Sequence, residues 1–174
     1  CALPISYLKS GGALQMTGGK PAVVGYEEVC VAFTVPKTAM PATGYPLTVF
    51  AHGTGGSFRS VGDGTGAALA SGLLPTGTKV ADMAVAGMGV DQPMHGSRRG
   101  VDATTKQQVS IDPGPLFYNF ANPPAARGNF YQGAVDNVAL LRLAQATQKA
   151  PLDLGKAGLV KFDPAALLFL GHSQ

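Results

Sequence analysis

The sequence predicts an α/β fold built on a mostly parallel sheet with flanking helices. Two observations carry that expectation. Short continuous apolar runs stand at 47–51 (LTVFA), 81–88 (ADMAVAGM) and 166–170 (ALLFL), the first and last running into Gly-containing turns. Runs of this kind mark strands buried on both faces of a parallel sheet. Between the second and third, Phe130, Ala134, Val138 and Leu141 recur at helical spacing, which predicts a helix over 128–148 with one apolar face. Strands alternating with helices give an α/β layer.

The other elements follow in chain order. Residues 29–35 (VCVAFTV) are rich in β-branched and aromatic side chains and predict a strand, expected to pair with 5–8 across a Gly-rich stretch. Residues 41–46 read as a connector and 52–57 as a Gly-rich turn. The small residues of 58–74 predict a weak helix, because Gly62, Gly64 and Gly66 each disfavour it. Residues 89–126 form a long excursion rich in Pro, Gly and Asn, the kind of segment that in a compact domain usually serves function. Asp163-Pro164 is expected to break the chain before the third apolar run.

Composition narrows the function. A chain of 174 residues has the length of one domain and can bury a core. The charges are sparse, 13 Lys and Arg against 10 Asp and Glu, and no basic stripe interleaved with aromatics supports nucleic-acid binding. No apolar run approaches the ~20 residues of a membrane span. Cys1 and Cys30 are too few for a disulfide framework or a four-ligand zinc site. They suffice for one bridge between the N-terminus and an early strand, or stand as two thiols. Low Lys and Glu with abundant Gly, Ala and Thr resembles exported bacterial proteins, secreted or held in the periplasm or cell envelope, where a bridge persists. No leader of basic start and apolar core is visible, so an exported protein would be represented here in its mature form.

The chemistry concentrates at strand ends. LLFLGHSQ runs an apolar strand into Gly171-His172-Ser173-Gln174. This is four-fifths of G-x-S-x-G, the sharp strand-to-helix turn that lifts a serine hydroxyl above a sheet; the fifth residue would be position 175. LTVFAHGTGGS sets His52-Gly53 directly after the first apolar run, and Asp91-Gln92-Pro93-Met94-His95-Gly96-Ser97 follows the second. With these motifs in this order, the chain resembles the N-terminal half of an α/β-hydrolase of the esterase and lipase kind. The likeness covers about residues 27–174. The stretch FYNFANPPAARGNFYQGAVDNVALLRL adds a less specific likeness to large exported bacterial lipase-like proteins.

The resemblance implies an α/β-hydrolase fold, N-terminal portion only, with 1–46 as N-terminal strands and connector and 47–174 as the sheet core. It implies a serine hydrolase of carboxylic esters, with Ser173 as nucleophile through an acyl-enzyme. The backbone N–H groups of Thr54 and Gln174 would form the oxyanion hole, with Gly55 second to Thr54. No metal or organic cofactor is implied. The triad order in this fold is Ser, then acid, then His. The acid and base are therefore expected after Ser173, in a C-terminal remainder supplied as a further segment or a second chain. His52, His95 and Asp91 then read as hydrogen-bonded loop residues, and His172 as packing beneath the turn. Phe117, Tyr118 and Phe120 are weaker candidates to line the substrate, and Arg98-Arg99 reads as a solvated loop. The chain alone is expected to be inactive, not stably monomeric, and to end its sheet at an open edge.

Rival readings are poorer. A dinucleotide fingerprint from Gly53 and Gly55 requires Gly where Phe58 stands. The three histidines lack metal-ligand spacing. A non-catalytic relative, serving binding or structure, is the alternative that the missing acid and base leave open.

Overall fold

The computed structural model describes residues 2–5, 14–73, 76–80, 84–102 and 104–173. In chain order the elements that matter are β1 (Ala2–Ile5), β2 (Gly25–Glu28), β3 (Val31–Thr34), β4 (Tyr45–Ala51), α1 (Thr65–Ser71), β5 (Ala86–Val90), α2 (Pro113–Tyr118), α3 (Pro123–Ala146) and β6 (Phe162–Gly171). Four strands make a mixed sheet in the order β6-β4-β5-β3. β6 and β5 both run parallel to β4, with Phe169 opposite Val49 and Val49 opposite Met88. β3 is antiparallel to β5 at one edge.

The central strands are mostly apolar because both of their faces are covered. Leu47, Val49, Ala86, Met88 and Val90 are fully buried. Side chains alternate across a strand, and β5 shows what each face meets. Ala86, Met88 and Val90 join Leu140 and Ala144 of α3 in the main core. Gly87 and Gly89 face the other way, toward Val61. Val61 lies in a 3-10 turn at Phe58–Gly62 that Ser57 caps by accepting from the Arg59 N–H. The weak helix expected over 58–74 is therefore this turn followed by the short α1, interrupted at Asp63-Gly64.

Several expectations need correction. The partner of the N-terminal strand is β2, with Ala2 opposite Glu28, rather than the 29–35 strand, which pairs with β5; residues 6–8 and 81–83 lie outside the described residues. Asp163-Pro164 does not end β6. The strand runs through it, and a register shift between Phe162 and Leu167 absorbs the missing donor. β6 is also not buried on both faces. Among the described residues only β4 pairs with it, and Leu168 and Phe169 are 53% and 57% exposed.

The helix α3 starts five residues earlier than its apolar pattern predicts. Asn122 caps it by accepting from the Ala125 N–H, and Pro123-Pro124 occupy the first turn, where no intrahelical donor is needed. The helix is also turned differently. Phe130 and Val138, expected on the buried face, are 45% and 48% exposed. The face it buries holds Asn129, Gln132 and Asp136 as well as Leu140 and Ala144. A polar face is buried because a charged side chain from the β5 loop waits beneath it.

Candidate functional site

That side chain is Arg98, which is buried rather than solvated. Its Nη1 donates to Asp136 Oδ2 at 2.6 Å and to the Asp91 carbonyl at 2.9 Å, and its Nε donates to Glu27 Oε2 at 3.1 Å. Gln132 Nε2 donates to the second Asp136 oxygen at 2.6 Å. Burial pushes the Asp136 carboxyl above its ordinary range, and the adjacent guanidinium offsets part of that. Arg98 thus ties the loop after β5 to α3 and to β2. Its sequence signal was absent: an Arg-Arg pair flanked by Gly and Ser looks solvated until the distant carboxylate partner of one of them is known.

Asp91 locks the same loop from within. Its carboxylate accepts the Phe58 N–H at 2.8 Å and both the N–H and hydroxyl of Ser97, at 3.1 and 3.2 Å. His52 joins this loop to the one after β4. Its Nδ1 lies 2.8 Å from the Gly53 carbonyl, and its Nε2 accepts the Gln92 N–H at 3.0 Å. A carbonyl only accepts, so Nδ1 carries the proton and the ring is neutral. Burial lowers the pKa of His52, and of His95 likewise. His95 spends Nδ1 on the Pro93 carbonyl, while its Nε2 is buried with no partner among the described residues.

Ser173 stands at the C-terminal end of β6, exposed, with φ at +57°. An L-residue other than Asn or Asp seldom takes this left-handed conformation, because Cβ crowds the following carbonyl. The His172 N–H donates to the Ala51 carbonyl at 3.0 Å, which pins the turn against the end of β4. The loop after β4 then touches Ser173. A Cβ built on Gly53 would stand 2.5 Å from the His172 carbonyl oxygen, 2.7 Å from Ser173 Cβ and 3.4 Å from Ser173 Oγ. Only glycine allows that approach. The loop curls back immediately, the Gly56 N–H donating to the Gly53 carbonyl at 3.0 Å.

The other sequence candidates fall as follows. Thr54 and Gly55 are exposed in that same turn, Gly55 with φ at +82°. Thr54 Oγ1 lies 3.1 Å from the Tyr118 hydroxyl. Gln174 and Cys1 lie outside the described residues; Cys30 is exposed. A cleft of about 490 Å³ opens beside Ser173, with Ala51, Gln92, Phe117 and Gly171 in its wall. Phe117 therefore reaches the cleft, while Tyr118 and Phe120 stack on each other outside its wall, and Phe120 is 85% exposed. Gln92, which the sequence did not single out, is brought to the site by the loop after β5.

Ser173, Gly53 and Gln92 thus stand just past the carboxyl ends of three neighbouring parallel strands, where ligands bind in open α/β sheets. Among the described residues no cluster of three or more His, Cys, Asp or Glu side chains is placed to hold a metal ion, and no helix is long and apolar enough to cross a membrane. Comparison with protein-family models, with curated proteins and with solved structures returns no match.

Proposed function

We propose that this chain carries the nucleophile of a serine hydrolase of the α/β-hydrolase kind, acting on carboxylic esters. The observation that carries the reading is Ser173 at φ +57° on the turn after a parallel strand, the strained exposed serine that the sequence motif requires. The abutting Gly53 loop supports it, because an oxyanion hole needs backbone donors held rigidly near the reacting carbonyl. The sheet order, with the second and third parallel strands flanking the first, supports the fold assignment.

In this reading Ser173 Oγ adds to the ester carbonyl as its proton passes to a general base. The backbone N–H groups of Thr54 and Gln174 stabilise the oxyanion. The C–O bond to the alcohol breaks, the alcohol leaves with the proton, and water then cleaves the acyl-enzyme in the mirror sequence. No metal or organic cofactor is needed. The base is not His52, whose ring nitrogens are both engaged with backbone groups. Nor is it His95, which donates to the Pro93 carbonyl and packs edge-on against His52. The reading takes its acid and base from residues following Ser173 in the chain order of the fold, as a further segment or a second chain. It also places the protein outside the cytoplasm, on composition.

A fluorophosphonate probe tests the assignment. The full-length protein is expected to be labelled at Ser173, and Ser173→Ala is expected to lose both labelling and p-nitrophenyl ester turnover. Folded protein that stays unlabelled while Ser173→Ala hydrolyses as fast as wild type would sink it, and would favour a binding or structural role.

A further inference from the structure

The short helix α2, in the long excursion, meets the loop after β4 at Thr54. Thr54 Oγ1 lies 3.1 Å from the Tyr118 hydroxyl, and either oxygen can donate. A Cβ built on Gly114, near the other end of α2, would stand 3.4 Å from Thr54 Cγ2. Both branches of the Thr54 side chain therefore meet α2, the methyl at Gly114 and the hydroxyl at Tyr118. Thr54 is the second residue of a four-residue turn, which the Gly56 N–H closes on the Gly53 carbonyl. Gly55 takes its third position at φ +82°, as a type II turn requires. The closing bond leaves the N–H groups of Thr54 and Gly55, the candidate oxyanion donors, unspent by the turn itself. Gly53, its first residue, is the one that abuts Ser173.

A bond between two hydroxyls at an exposed position competes with water and is weak by itself. Here the tyrosine is held in advance. Its half-buried ring stacks on Phe120 at 5.9 Å and 9°, and meets the buried Phe117 edge-on at 5.4 Å; stacked and edge-on pairs are both favourable arrangements for aromatic rings. The backbone beneath is anchored too, because the buried Asn129 of α3 donates Nδ2 to the Phe117 carbonyl at 2.8 Å. A continuous path thus runs from α3 through the end of α2 to Thr54. We infer that Tyr118 is a positioning residue of the hydrolase, acting through the Thr54 side chain to hold the turn that presents the oxyanion donors. This rests on Ser173 being the nucleophile, and it deepens that reading by giving the excursion a part in the reaction. Donors held before charge develops need no reorganisation in the transition state. Loss of the tether therefore slows the chemical step and leaves ground-state binding alone.

The test uses full-length protein carrying Tyr118→Phe, Thr54→Val or both, each change keeping the shape of the side chain and removing its hydroxyl. Turnover of p-nitrophenyl butyrate is resolved into kcat and KM, and fluorophosphonate labelling is measured on the same preparations. Each single variant is expected to lower kcat about tenfold, part of the roughly hundredfold that a misplacement of about 1 Å can cost, with KM within about twofold of wild type. The double variant is expected to be no slower than either single one, because both changes remove the same interaction. Should Thr54→Val fail to fold, the kcat of Tyr118→Phe decides. Labelled Ser173 together with a wild-type kcat in Tyr118→Phe, or with losses that multiply in the double variant, overturns the tether and leaves the hydrolase standing. Wild-type protein that is not labelled at Ser173 overturns both.

Discussion

The conformation of Ser173 makes a prediction that separates strain from chemistry. At φ +57° the serine holds its Cβ against the following carbonyl, which costs about 1–2 kcal/mol for an L-residue. Ser173→Ala removes the hydroxyl but keeps Cβ, so it keeps the strain. Ser173→Gly removes both, at an offsetting loss of about 0.4–1 kcal/mol because glycine gains freedom in the unfolded chain. The balance favours glycine over alanine by about 0.5–1 kcal/mol, equivalent to a Tm difference of roughly 1–4 °C for a chain of this size. The assay is urea unfolding of the full-length wild type and both variants followed by circular dichroism, with ester turnover measured in parallel. On the hydrolase reading both variants lose turnover, while the glycine variant is expected to be more stable than the alanine variant. An alanine variant as stable as the glycine variant would refute the reasoning, because the turn would then not be strained.

Three further outcomes follow from the same geometry. Gly53→Ala puts a Cβ 2.5 Å from the His172 carbonyl oxygen. It is expected to cost about 1–3 kcal/mol as overpacking and, on the hydrolase reading, to lower turnover by about a hundredfold through displacement of the Ser173 turn; unchanged kcat/KM would show that the two loops do not touch. Asp136→Leu leaves the buried Arg98 without its 2.6 Å carboxylate and is expected to cost about 3–5 kcal/mol. Arg98→Met/Asp136→Leu should recover most of that in a double-mutant cycle, and a double variant as unstable as the single one would count against the pairing. His52 and His95 both have lowered pKa values through burial. Above their ordinary value of 6.5 neither state binds a proton. Below it the unfolded chain takes up protons that the folded chain refuses, so stability falls as pH drops from 6.5 to the folded values and then levels off. Asp136, raised by burial, acts with the opposite sign at lower pH. The readout is therefore the difference from wild type: His95→Gln should flatten the loss between pH 7 and pH 5, and an unaltered pH profile would contradict the burial argument.

What could be read from the sequence was whatever local pattern decides. β4 is a short apolar run with both faces covered, and such a run needs no distant information to be recognised; β5, read over 81–88, instead spans Ala86–Val90 and takes its last two residues from the stretch read as the excursion. The turn at Ser173 was marked by Gly-x-Ser after an apolar run, because a sharp turn restricts residue type at single positions; the close approach of Gly53 to it was not foreseen, the loop candidates having been Thr54 and Gly55. The orientation of α3 was not legible. Phe130, Ala134, Val138 and Leu141 have the periodicity of a buried stripe, yet the helix buries Asn129, Gln132 and Asp136 instead, because Asp136 pairs with an arginine 38 residues away. That partner exists only in the folded chain. The same holds for β6, whose apolar run predicted a strand covered on both sides while its edge position leaves Leu168 and Phe169 exposed. The start of α3 was a missed local signal, since Asn122-Pro123-Pro124 is a cap followed by first-turn prolines.

In the hydrolase reading, the buried polar residues have one consequence in common. Oxyanion stabilisation depends on donors already fixed before charge develops, so that nothing reorganises during the reaction. Loops at strand ends are ordinarily the mobile part of a fold. Here the loop after β4 is held by the neutral ring of His52, the loop after β5 by Asp91 and Arg98, and the turn after β6 by the His172 N–H on Ala51. Each tie joins one loop to a neighbouring element and holds it there. A protonated His52 could no longer accept the Gln92 N–H, and that tie would open. Acid should therefore loosen the cleft wall at Gln92 at the same time as it destabilises the fold. Hydrogen-exchange protection of the Gln92 N–H should then be lost on acidification before that of the core strand β5. Loss of both together at one pH would show that global unfolding, and not the His52 tie, sets the acid limit.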